Sequence, residues 1–263
     1  MAVFFDDLLL CDPTKGDGPG NGALSLSPTH GFAVDAQPHP WNVRSDPPQV
    51  FPLDNELISQ CVTLLVGGKH RILAARDPPG GWSSAGIDGL AQIALDALVG
   101  HHALIRFHLR ATPEQLLRPY VLPNLSLLEL IRLDVLAGTI NSGSLKQMGS
   151  LDTQQTIEEC CFNIAKLGLS SVTRLLFVLG LPGENGEDAV RTVQFAFRLM
   201  LMNGIRTVRF EWWKTAAVMS PDFLLTSATL SKSDRSSIRE TIEFVGLLHK
   251  DFEIVGPDEP AMP

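Results

Sequence analysis

Apolar positions recur along the chain with a period of two and then of three to four, and each switch between the periods predicts a strand passing into a helix. Residues 2–10 form a short apolar run with strand character. From 11 to 52 no period is sustained, and Gly, Pro, Ser and Asp dominate, which predicts a long loop. Asp54 then caps a helix running to about Leu65, 70–75 is a strand, DPPGGWSS is a turn, and 84–99 is a helix. Residues 103–109 give the next strand, with His101 and His102 at its start, and Thr112-Pro113 opens a short helix. Residues 130–136 are a strand. Asp152 or Thr153 caps a helix with Ile157, Cys161 and Ile164 on one face, closed by Gly168. Residues 175–179 are a strand, and the helix after it carries Glu187 and Asp188 in its first turn and ends at Gly204. Residues 207–212 are a strand, Ser233 caps a last helix aligned on Ile238, Ile242 and Val245, and 252–255 is a terminal strand.

About six alternations of strand and helix predict a parallel sheet with right-handed crossovers, as a barrel or as an open doubly wound sheet. Parallel strands are usually apolar on both faces. Three strands here are not. Arg106, His108 and Arg110 share one face of theirs, Arg132 and Asp134 share one face of the next, and Thr207, Arg209 and Glu211 share one face of TVRFEW. With the apolar faces against helices, these charges line a barrel lumen, where they must pair with one another, with a ligand or with water. Such a lining suits an anionic or zwitterionic small molecule. Two alternatives give the same pattern: an antiparallel sheet with one wet face, and a barrel whose charges form structural ion pairs only.

Composition narrows the partners. The 263 residues are 44% hydrophobic and 19% charged, enough for a single core spanning 1–263 with the 11–52 loop attached. A net charge of −8 argues against nucleic acid or an anionic membrane as main partner. The apolar start MAVFFDDLLL is broken by Asp6 and Asp7 and lacks a basic region, so no signal peptide is expected, and no uncharged run reaches a membrane span. A cytoplasmic protein is the expectation. Cys11, Cys61, Cys160 and Cys161 are the four cysteines, too few and too scattered for a disulfide framework.

The order LDVLAGTINSGSLKQMG, helix, strand, GLPGEN-ED resembles the second half of a radical S-adenosylmethionine (radical SAM) core, in the branch with the methylthiotransferases and cobalamin-dependent enzymes. RFHLRATPEQLL and RILAARDPPGGWSSAGIDGL match the family's preceding strands, and WNVRSDPPQVFPLDNEL is similar to its Arg-Ser segment, so the likeness covers about residues 40–221. The resemblance implies a partial (βα)6 TIM-like barrel of radical SAM type. It implies S-adenosylmethionine (SAM) as cofactor, along Phe177, Val178, Gly180, Pro182, Gly183 and Glu184, with Thr139, Asn141 and Ser142 toward ribose or carboxylate. The GLPG run also reads as an ordinary strand-to-helix turn. The family's cluster-binding C-x3-C-x2-C is missing from the sequence, and its Glu in Gly-x-Glu-Ser-Gly aligns with Gly138. No iron–sulfur cluster is therefore expected.

The expected function is a repurposed biosynthetic enzyme that binds SAM or a small polar substrate in the lumen and performs non-radical chemistry, as a lyase or transferase. Its catalytic candidates are His108, Glu211, Asp134 and Lys214, and its substrate-binding candidates are Arg106, Arg110, Asp77 and Arg209. The alternative is a pseudoenzyme, a non-catalytic partner or substrate-binding subunit that meets a peptide or a catalytic protein. No dedicated metal site is expected, although two His with Asp134 or Glu211 is the arrangement to watch.

Overall fold

A computed structural model of the chain describes residues 23–26, 55–67, 72–75, 82–147, 152–181, 183–212 and 230–257. Strands β1 (Ala23–Leu26), β2 (Ile72–Ala75), β3 (Arg106–Ala111), β4 (Leu130–Gly138), β5 (Thr173–Leu179), β6 (Thr207–Trp212) and β7 (Glu253–Val255) lie in sheet order as in chain order. The β1–β2, β2–β3, β5–β6 and β6–β7 pairs are parallel. A helix stands in each connection. This is the α/β arrangement of a partial TIM-like barrel. A doubly wound sheet would reverse its strand order at a switch point, and an antiparallel sheet would need no crossover helices. The predicted strand at 2–10 lies outside the described residues. β1 falls inside the segment read as loop, because ALSL is only four residues long and sits between Gly- and Pro-rich flanks.

The chain divides into two compact units. The first comprises Met1–Gln37, Arg44–Ala111 and Gln115–Asp134. Here α1 (Asn55–Gly67) packs on α2 (Ser84–His101), and α2 on α4 (Val121–Leu125), with the short α3 (Pro113–Leu116) between α2 and α4 in the chain. Cys61, Leu65, Ile87, Leu90, Ile93, Phe107 and Leu109 are its core. The Ser83 hydroxyl accepts the Gly86 N–H to start α2. His101 and His102 do not open a strand. His101 is the last residue of α2 and His102 closes it at φ 52, a left-handed conformation that His adopts more readily than bulkier side chains.

The second unit comprises Pro38–Val43, Thr112–Glu114 and Val135–Pro263. It holds α5 (Ser142–Gln147), α6 (Gln154–Lys166), α7 (Gly186–Asn203) and α8 (Lys232–Leu248). β5 is buried along its whole length. Phe177 stacks on Phe210 of β6 with centroids 6.0 Å apart and meets Phe195 of α7 edge-on at 6.3 Å, so this face of both strands looks toward helix. Asn185 starts α7 with a capping box to Asp188, and Gly204 ends it at φ 65. Thr153, not Asp152, caps α6, because Asp152 instead accepts the Glu114 N–H at 2.8 Å. Ser231, not Ser233, caps α8, since only Ser231 has an acidic residue, Asp234, three positions on to complete a capping box. The turn of chain entering α8 sits close on two glycines: a Cβ at Gly180 would fall 3.0 Å from Leu230 Cδ1, and one at Gly186 would fall 2.6 Å from Asp234 Oδ1.

Candidate functional site

Alternation along β3 and β4 puts His108, Arg110 and Asp134 together in the first unit. Asp134 is 0% exposed, and His108 only 8%. His108 Nε2 lies 2.9 Å from Asp134 Oδ2, and Arg110 Nη2 lies 3.6 Å from the same oxygen. A carboxylate so deep needs such partners: burying it alone would cost several kcal/mol. With the imidazole neutral, the bond to Asp134 assigns the proton to Nε2 and leaves the Nδ1 lone pair as acceptor. Arg106 does not join this group. It stands exposed at the first position of β3, the amino end of the strand, whereas α/β barrels carry their chemistry at the carboxyl end.

The second unit builds a different polar cluster where β4 ends and β5 turns into α7. Glu184, 1% exposed, accepts the N–H groups of Gly180 and Leu181 at 3.0 Å each and the hydroxyl of Thr139. Thr139 Oγ1 lies 3.1 Å from Thr192 Oγ1 and accepts the Asn141 N–H at 3.2 Å. Asn141 in turn donates from Nδ2 to Asp188 and accepts the Ser144 N–H. Gly180 and Gly183, at φ 77 and 84, make the turn possible. Burial pushes the Glu184 carboxyl up from its ordinary value, while the Thr139, Leu181 and Gly180 donors pull it back.

On β6, Arg209 Nε lies 2.9 Å from Glu211 Oε1 as an ion pair without hydrogen-bond alignment. The pair sits across from Leu176 and Val178, which join Leu136 and Leu181 in a buried apolar cluster. Asp77, Pro182 and Lys214 lie outside the described residues. Sequence reasoning missed Thr192, although a signal was present: it is a hydroxyl among the buried α7 positions Ala189, Val193 and Ala196.

Several of the residues that the resemblance assigns to SAM are committed to the chain's own packing and hydrogen bonds. Phe177 is core against α7 and Val178 points to the opposite face of the strand, so the two cannot border one ligand. Thr139 and Glu184 are buried and bonded to each other, and the N–H groups of Gly180 and Leu181 are taken by Glu184. Among the described candidates Ser142, at the first residue of α5, and Gly183 in the turn after β5 stand exposed. The described cysteines, Cys61, Cys160 and Cys161, are free thiols buried in the core. Burial pushes Cys61 up to about 11 and Cys161 up to about 12, and Cys160 is raised as well. Among the described residues no three His, Cys, Asp or Glu side chains are grouped to hold a metal, and no helix is long and apolar enough to cross a membrane.

No protein-family model and no curated protein matches the sequence. Solved structures do match. Coproporphyrinogen III oxidase (HemN) from Escherichia coli, a radical SAM enzyme, superposes with a TM-score of 0.53 over 73% of this chain and 44% of its own, at 14% identity. The radical SAM methyltransferase TsrM from Kitasatospora setae, with cobalamin and a [4Fe-4S] cluster bound, gives 0.45 over 59% of this chain and 30% of its own, also at 14% identity. The HemN likeness establishes a radical SAM-like fold, and at this identity it speaks to fold alone. The chain spans less than half the length of the HemN chain it matches.

Proposed function

We propose that this chain is a radical SAM-like barrel without an iron–sulfur cluster that carries out non-radical proton-transfer chemistry, as a lyase or transferase, on a small polar substrate. The observation that supports this reading is the fully buried Asp134 holding His108 at 2.9 Å. Asp134 accepts the Nε2–H and fixes the ring, so Nδ1 is the atom that takes a proton from substrate. The imidazolium that forms is stabilised by the carboxylate below it, and Arg110 offsets the charge of that carboxylate while the ring is neutral. Glu211 and Arg209, paired and partly open on β6, are the second acid–base candidates. Thr139 and Glu184, which the resemblance assigns to SAM, are engaged with each other and serve the turn after β5.

Proton abstraction has a direct readout. Incubated in D2O with a pool of small carboxylic and amino acids, the wild-type protein should catalyse C–H exchange visible by NMR. His108→Gln should abolish it while the melting temperature changes by only a few degrees. Exchange that persists in His108→Gln overturns the assignment. Iron and acid-labile sulfide in stoichiometric amounts after anaerobic purification would overturn the cluster-free part.

One observation favours the non-catalytic alternative. Phe244, Leu247 and Leu248 form an exposed apolar stripe on α8, the kind of face that meets another protein. On that reading wild-type and His108→Gln proteins behave alike in every exchange assay.

A further inference from the structure

Trp212 closes β6 and is only 3% exposed, yet its indole Nε1 is buried with no hydrogen-bond partner among the described residues. Buried N–H groups are almost always paired, because one left bare costs about as much as a lost hydrogen bond. The Arg235 guanidinium lies over the same ring, 5.4 Å from its centroid, and its Nε is buried and unpartnered too. Two buried donors without acceptors on side chains that stack on each other, one of them cationic, call for an anion. Arg235 is the fourth residue of α8, a 17-residue helix, so the guanidinium over the ring belongs to the helix's first turn. There the N–H groups of Lys232 and Ser233 have no carbonyl partner within the helix, and the dipole is positive. The one carboxylate of that turn does not occupy the place: Asp234 Oδ2 is spent on the Ser231 N–H at 3.2 Å and the Ser231 hydroxyl at 2.6 Å.

We infer that Trp212, Arg235 and the first turn of α8 bind the phosphate group of a small phosphorylated ligand. An indole N–H, a planar guanidinium fork and helix-terminal N–H groups offer more donors than the two oxygens of a carboxylate can take, and a phosphate has the oxygens to satisfy them. The site lies at the carboxyl end of a barrel strand, the end where such folds hold ligands. It is independent of His108 and Asp134.

The test is a thermal-shift titration with inorganic phosphate at constant ionic strength. Wild-type protein should show a saturable rise in melting temperature. Trp212→Phe keeps an aromatic ring beneath Arg235 and removes the N–H together with part of the indole. It should fold with a somewhat lower phosphate-free melting temperature, and bind phosphate roughly tenfold more weakly. Arg235→Met should lose the response, and Lys250→Ala, a charge removed from an exposed position, should keep it. No saturable response in wild type overturns the site, as does a response that survives unchanged in Trp212→Phe and Arg235→Met. Acetate stabilising the wild type as well as phosphate does would overturn the phosphate assignment.

Discussion

Asp134 and Glu184 are both carboxylates withdrawn from water, and their surroundings differ in kind. Around Glu184 the hydrogen-bond donors are backbone N–H groups and a hydroxyl, and the cluster links the end of β4 to the β5–α7 turn and to α7. Beside Asp134 stand His108 and Arg110, two side chains that keep some access to solvent. A set of neutral donors around a carboxylate stabilises one backbone conformation and has no proton to trade. An imidazole and a guanidinium around a carboxylate form a group with a proton to move. Burial alone therefore does not separate a structural carboxylate from a chemical one; the nature of its partners does.

The largest test of this contrast is Asp134→Ala, which leaves a cationic partner facing a void and should cost about 3–5 kcal/mol in urea unfolding. A loss below about 1 kcal/mol would mean the cluster is not the buried ion group described. Next comes Glu184→Ala, which strands the Gly180 and Leu181 N–H groups and should cost about 2–3 kcal/mol. Glu184→Gln keeps an acceptor and should be near neutral at pH 7, and its pH dependence sharpens the point. The folded-state value of Glu184 is raised, so its stabilisation is complete below the unfolded value and is lost as pH rises through the folded one. Wild-type stability should thus rise relative to Glu184→Gln as pH falls from neutral toward the ordinary carboxylate range; parallel curves would show the carboxyl is not perturbed. His108→Gln should cost only about 1 kcal/mol while abolishing proton exchange, the reverse balance to the Glu184 variants. Smallest of all, Arg106→Ala at its exposed position should change stability by less than about 0.5 kcal/mol.

Much of this was legible in the chain. Period-two runs located β5 and β6 within a residue or two, because TRLLFVL and TVRFEW are long, apolar on at least one face and bounded by clear helix signals. The His108, Arg110 and Asp134 grouping followed from alternation on neighbouring strands, since register brings same-face residues together. What could not be read depended on tertiary contact. β1 is four residues that pair only because β2 lies beside them, and α4 and α5, at five and six residues, have no period to detect. Which face of β5 met α7 was equally hidden in a strand apolar throughout, so Phe177 and Val178 were grouped although their side chains part company. The roles of Thr139 and Glu184 were obscured for a related reason: the same oxygens that would grip a ribose also suffice to tie a turn.

The close seat of the α8 entry on Gly186 ties two distant stretches of chain into one tolerance limit. A single methyl group added at 186 would press on Asp234 and pull it from the Ser231 backbone, so the last long helix would fray from its start without any change to its own sequence. A saturation library should accordingly find position 186 as intolerant as 234.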